Sequence, residues 1–217
     1  TRYRWVVLAL FCSLYLISYI DRGLMSVVAP EISEEFELDS VQMGWLFAVF
    51  TWAYAFAQIP VGFLGDRIGP KKVLVVIISI VSVSVAMTGA AVNYLMLLLS
   101  RIFLGLSESG AFPVASRAMQ LWFHRSERGR IQGITHFFSR AAVALTPIAA
   151  VPIVYLFGWR SVFFIAAAIG MVWVVIFALA YKNHPKDHPR VNDQELALIY
   201  NSIENIDSNP KNDPIPW

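Results

Sequence analysis

Apolar residues run almost unbroken through six stretches of this chain, at positions 5–28, 41–63, 73–92, 94–115, 131–156 and 161–181. A helix crossing the hydrocarbon core of a bilayer needs about 20 such residues at a rise of about 1.5 Å each. All six qualify. Turn chemistry falls where the runs are interrupted or end, at Pro30, Gly69-Pro70, Gly89 with Asn93, Gly129 and Gly158. Asp39 and Gln42 stand in capping-box spacing at the opening of the second run. The first run is longer than a signal-peptide core and has no small-residue cleavage site, so it reads as a retained span. The pattern predicts an all-α polytopic membrane protein whose residues 1–181 form one bundle of six transmembrane helices.

Beyond Tyr181 the pattern changes. Residues 182–217 read as a polar loop containing Lys182, His184, Lys186, Asp187, His188 and Arg190. Asn192 and Glu195 repeat the capping spacing, and Leu196, Ile199, Tyr200 and Ile203 mark one short amphipathic helix. Its apolar face suits either packing on a partner or lying on a membrane surface. The proline-bearing stretch 209–217 reads as linker. A chain that starts on Thr1 and stops at Trp217 is expected to be a piece of a longer protein.

Composition supports the membrane reading. Hydrophobic residues make up 57% and charged residues 15%, with a mean hydropathy of +0.58, leaving too little polar surface for a soluble globule. Net charge is only +2, so distribution matters more than sum. The 30–40 loop carries Glu31, Glu34, Glu35, Glu37 and Asp39 without a Lys or Arg. Of the 17 Lys and Arg residues, Arg22, Arg101 and Arg140 lie inside runs and only Arg160 lies on the same side as that acidic loop. The positive-inside rule then puts both ends of the chain in the cytoplasm, as six crossings require. Cys12 is the single cysteine and lies in an apolar run, so it reads as a structural thiol.

Five ionisable residues then stand out, because Asp21, Arg22, Arg101, Glu108 and Arg140 all fall within membrane-spanning runs. Charge at that depth usually marks a polar pathway. Arg22 and Arg101 each lie about seven residues, or ~10 Å, from the outer end of their runs. Two guanidinium groups at one depth suit a carboxylate or phosphate, gripped by paired hydrogen bonds. Arg140 falls nearer the middle. Asp21 and Glu108 reduce the cluster to one positive charge when ionised, and a proton on either raises it. Proton and anion would then promote each other's binding. Tyr15, Tyr19 and Arg22 share one helical face, as do Tyr54 and Gln58, and tyrosine and glutamine suit substrate hydroxyls. Mutual neutralisation between packed helices is the plainer alternative for these charges.

No nucleophile triad, phosphate loop or metal-ligand spacing is visible, and His124, His136, His184 and His188 are scattered. No enzyme activity, cofactor, metal or nucleic-acid partner is expected.

Between the second and third runs, Gly62, Gly65, Asp66, Arg67, Gly69, Lys71 and Lys72 form a Gly-x-x-Gly-Asp-Arg-x-Gly pattern followed by paired lysines. This loop resembles the signature loop of the major facilitator superfamily. The resemblance implies gating contacts for these residues and a fold of two six-helix bundles, of which this chain supplies the N-terminal one. Tyr19-Ile20-Asp21-Arg22 and the stretch from Arg101 to Glu108 resemble the anion:cation symporter family, whose bacterial members carry sugar acids such as hexuronates, aldonates and glucarate with protons. That resemblance implies a substrate carboxylate on Arg22, protonation sites at Asp21 and Glu108, Arg101 partnering Glu108 or the anion, and Tyr19 and Tyr54 lining the pocket. Ser139 precedes Arg140 where some relatives have a glutamine nearby, which favours a more anionic substrate. The expected setting is a bacterial inner membrane, with a small organic anion, protons, lipid and the second bundle as partners. Sodium-coupled or exchange transport of phosphate or a dicarboxylate, and a non-transporting six-helix subunit, are the alternatives.

Overall fold

The computed structural model describes residues 2–207, and every helix anticipated above is present among them. They are α1 (Tyr3–Val27), the short α2 (Ala29–Glu35), α3 (Ser40–Ile68), α4 (Pro70–Gly89), α5 (Tyr94–Glu108), α6 (Ala111–Trp122), α7 (Arg128–Phe157), α8 (Trp159–Ala180) and α9 (Asp193–Asp207). Six candidate spans result, with α5 and α6 forming one span interrupted at Ser109 and Gly110. No strand occurs among the described residues.

Local chemistry explains the boundaries. Asp39 accepts from the Gln42 backbone N–H at 2.7 Å, while the Gln42 side chain accepts from the Asp39 N–H at 3.0 Å, completing the capping box of α3. Gly69 reverses the chain with φ at +95°, a conformation costly for a residue with a Cβ, and Pro70 then opens α4. Asn183 seals that corner by accepting from the Lys71 N–H at 2.9 Å.

The main packing pairs are α1 with α7, α4 with α8, and α3 with α5. Gly105 allows the last of these. A Cβ there would stand 2.5 Å from the Phe50 carbonyl oxygen and 3.1 Å from the Tyr54 nitrogen. Without it α5 lies against the α3 backbone, as small residues permit in membrane helices. Arg101 and Glu108, about one turn to either side, are thereby brought beside α1 and α3.

Burial is uneven. Only 11% of the most apolar window of α3 and 17% of that of α7 are buried, against 44% to 56% in the other four spans. These two helices therefore leave the widest uncovered surface, which includes Trp52, Phe56 and Ile59 on α3 and Phe137, Ile148 and Tyr155 on α7.

At one end, the polar loop docks onto the bundle. The Glu195 carboxylate accepts from the backbone N–H groups of Tyr3 at 3.2 Å and Arg4 at 2.9 Å, satisfying donors that the start of α1 cannot pair internally. His188 stacks on Tyr3 at 4.0 Å, and Trp122 donates to the Lys182 carbonyl at 2.9 Å. Of the two uses left open for the amphipathic segment, packing is the one seen at its first turns, where Ile199 is also buried. Ile203 and the 209–217 linker lie outside the residues whose side chains are described.

At the other end, Glu35 accepts from Arg160 through both oxygens, at 2.6 and 2.7 Å, and from the Trp159 indole at 2.7 Å. Arg160 and Trp159 thus tie α2 to the start of α8. Hydrogen bonds from Arg160 and Trp159 hold the Glu35 carboxyl below its ordinary value. A lowered folded-state value means that the contribution is complete above the ordinary range near about pH 4.3 and is lost as pH falls through the lowered value. Thermal unfolding in detergent should therefore show a gap between wild type and Glu35→Gln at neutral pH that narrows as pH falls below the ordinary carboxylate range. The pair is partly solvent-screened, so the gap is expected to be small.

Candidate functional site

The site is assembled from α1, α3, α5, α6 and α7. Asp21 and Arg22 are consecutive on α1, while Arg101 and Glu108 lie two turns apart on one face of α5. Glu108 is fully buried, and Asp21 and Arg101 are each only 3% exposed. Arg22 is the more accessible member, with 28% of its side chain exposed.

Arg22 is held on two sides. Its Nε donates to both carboxylate oxygens of Glu108 at 3.2 Å. Around the guanidinium stand the rings of Tyr54 at 4.8 Å, Tyr19 at 5.1 Å, Phe50 at 5.3 Å and Phe112 at 5.7 Å. Aromatic faces stabilise a cation without consuming its donors. The consequence is an oriented guanidinium whose Nη2 is buried and has no hydrogen-bond partner. A buried charge-bearing donor left unpaired is costly, and an acceptor from a ligand would relieve that cost.

Arg101 is arranged differently. Its Nη2 donates to Thr88 Oγ1 at 3.1 Å, and Thr88 in turn donates to Ser100 Oγ at 3.0 Å. Its Nε has no partner, and neither does Asp21 Oδ1. Arg101 and Arg22 nevertheless line one cavity of about 140 Å³, together with Met25, Ser26, Phe47 and Phe50. The equal depth read from the sequence thus corresponds to a shared space. The hydrogen-bonded partner of Glu108 is Arg22 rather than Arg101.

The remaining residues separate by exposure. Tyr19 and Tyr54 are half-buried at the cage, whereas Gln58 is exposed on α3. Tyr15 is buried, its ring edge-on to Phe112 at 4.7 Å and to His136 at 5.5 Å. Ser139 is also buried, donating to the His136 carbonyl at 2.7 Å, so its hydroxyl is engaged within α7. Its neighbour Arg140 is exposed and lies 5.9 Å from the Tyr19 ring. Phe50, Phe112, Thr88 and His136 complete these contacts without having been singled out. A phenylalanine facing an arginine and one facing lipid look alike in a hydrophobic run.

The Gly-x-x-Gly-Asp-Arg loop occupies the end of α3 and the turn into α4. Gly65 packs on Val114, where a Cβ would meet Val114 Cγ2 at 2.5 Å. Gly62 and Gly65 also line a cavity of about 560 Å³ with Pro113, Ser116, Arg117 and Gln120. Arg67 and Lys72 are exposed, and Lys71 is half-buried. The Asp66 side chain lies outside the described residues. No cluster of metal-binding side chains occurs among the described residues.

A six-span helical bundle with a charged, aromatic-lined centre defines an integral membrane protein organised around a polar site. The match to the Major Facilitator Superfamily, over residues 11–214, makes the chain a member of that family. It is 43% identical over 196 residues to the probable sulfoacetate transporter SauU of Cupriavidus necator, covering 90% of this chain and 46% of that protein. It is 32% identical over 205 residues to the probable galactarate/D-glucarate transporter GudP of Bacillus subtilis, covering 92% of this chain and 45% of that protein. The chain thus spans about half the length of these relatives. In structure it resembles a bacterial homologue of the human lysosomal transporter Spinster, with a TM-score of 0.76 at 23% identity, covering 89% of this chain and 46% of the other. That likeness concerns the fold.

Proposed function

We propose that this chain is the N-terminal bundle of a secondary active transporter that moves a small organic anion, such as a sugar acid, together with protons by alternating access. The observation that carries the reading is the Arg22 guanidinium, oriented by four aromatic rings and Glu108 with its buried Nη2 unpartnered. In this reading Arg22 receives the substrate carboxylate and Tyr19, Tyr54 and Gln58 meet its hydroxyls. Arg101, anchored on Thr88, supplies a second positive charge beside the same cavity.

Coupling follows from charge. Asp21, Arg22, Arg101 and Glu108 sum to zero when all are ionised. A proton on either carboxyl gives the group a net positive charge and draws in the anion, and by linkage the anion draws in the proton. Asp21 and Glu108 are therefore assigned as the proton sites. The thinly buried faces of α3 and α7 receive the second bundle, and Gly62, Gly65, Asp66, Arg67, Gly69, Lys71 and Lys72 gate the rocking of one bundle against the other. The acidic loop faces outward and both ends face the cytoplasm, in a bacterial inner membrane. Relatives named for sulfoacetate, galactarate and glucarate support an organic anion as cargo.

Uptake by the full-length protein in proteoliposomes tests this. Under an inward proton gradient it should accumulate a member of a panel of sugar acids, with no dependence on sodium when choline replaces it. Accumulation only of phosphate, or only with sodium, contradicts the reading.

A further inference from the structure

We propose that Arg140 is a second anion ligand that selects a doubly charged substrate, one acidic group docking on Arg22 and the other on Arg140 across the ring of Tyr19. This rests on the transport reading above.

The register of α7 on α1 places the residue. His136 meets the Tyr15 ring, and one turn further along each helix Arg140 meets Tyr19. Arg22 lies 5.1 Å and Arg140 5.9 Å from the same Tyr19 centroid, so the two guanidinium carbons are separated by no more than the sum of those distances. Both present free donors. Arg22 Nη2 has no partner, and among the described residues Arg140 makes no hydrogen bond or ion pair.

Charge points the same way. With the coupling proton on either Asp21 or Glu108, the three arginines outnumber the remaining carboxylate by two, which a dianion balances. An arginine exposed within a membrane span and lacking an anion is unfavourable. Among the described residues no carboxylate pairs with Arg140. A substrate bearing one acid group compensates a single arginine. A dianion compensates both, with short charge-assisted hydrogen bonds at each end and its carbon chain over Tyr19.

Full-length protein in proteoliposomes, assayed with galactarate and galactonate, tests the assignment, because these share a hydroxylated six-carbon chain but carry two and one carboxylates. Wild type should favour galactarate. Arg140→Gln should reduce the galactarate-to-galactonate ratio of kcat/KM by about ten- to hundred-fold, mostly through the KM for galactarate. Arg140→Lys, which keeps the charge, should restore part of that preference. Equal losses for both substrates mean that Arg140 holds a carboxylate of the second bundle, and an unchanged ratio means that it faces no substrate charge. Either result overturns the proposal while leaving the transport reading intact. If wild type accumulates neither acid, nor sulfoacetate, the transport reading fails and this proposal with it.

Discussion

Replacing Arg22 by lysine in the full-length protein is expected to reduce organic-anion uptake by about 100-fold or more. A lysine keeps the charge but loses the planar fork. It cannot hold Glu108 with one nitrogen and direct others at a substrate carboxylate in fixed geometry. Hydrogen bonds to charged groups contribute about 1.5–3 kcal/mol each, so losing a paired contact amounts to two or more factors of ten. Arg22→Ala goes further, because it leaves Glu108 buried without its cation, and breaking a buried pair costs about 3–5 kcal/mol. Lysine is therefore the cleaner probe. A monodisperse, thermally stable Arg22→Lys protein without uptake would separate the loss of binding from the loss of fold. Near-normal uptake by that variant removes Arg22 from the substrate contact.

Glu108→Gln is expected to separate movement of the anion from movement of the proton. Glutamine preserves the shape of the side chain and still offers Arg22 an amide oxygen, but it cannot take up or release a proton. With a singly charged acid such as galactonate, electroneutral one-to-one symport lets a gradient of one pH unit support about ten-fold accumulation. Wild type should approach that value. The variant should equilibrate labelled anion across the vesicle by exchange, yet accumulate none above the external concentration. Gradient-driven accumulation by Glu108→Gln would assign the coupling proton elsewhere, with Asp21 the other buried acid beside Arg22 and Arg101.

The parts of this protein legible in its sequence are those set by local pattern. Apolar run length gave the six spans, Asp39 with Gln42 gave the start of α3, and Gly69-Pro70 gave its end. The pairing inside the site was less legible. The spacing of Arg101 and Glu108 places both on one face of α5, but that cannot reveal that Gly105 brings α3 close and turns Glu108 toward Arg22. Packing between distant segments decides which of several opposite charges meet. The same holds for Ser139 and Arg140. Adjacent in sequence, they face opposite environments because α7 lays one side on α1 and leaves the other bare. Half of the aromatic cage was invisible for a different reason: Tyr19 and Tyr54 were expected at the pocket, but Phe50 and Phe112 carry no polar signal, and only tertiary contact gives them a cation to surround.

Glu195 extends the same lesson to the loop. Its capping spacing predicted the start of α9, and the Asn192 side chain accepts from the Glu195 N–H at 3.0 Å as expected. The carboxylate also reaches the first N–H groups of α1, a contact between residues nearly 200 positions apart that no local pattern announces.

Coupling between the anion and a buried carboxyl is the central claim, and proton entry is its most direct measure. Proteoliposomes of the full-length protein, loaded with a pH-sensitive dye and held without a pH gradient, would receive an organic-acid substrate on the outside. Substrate should acidify the lumen of wild-type vesicles and leave the lumen of Glu108→Gln vesicles unchanged while labelled anion still exchanges. Anion entry into wild-type vesicles without acidification would contradict the account.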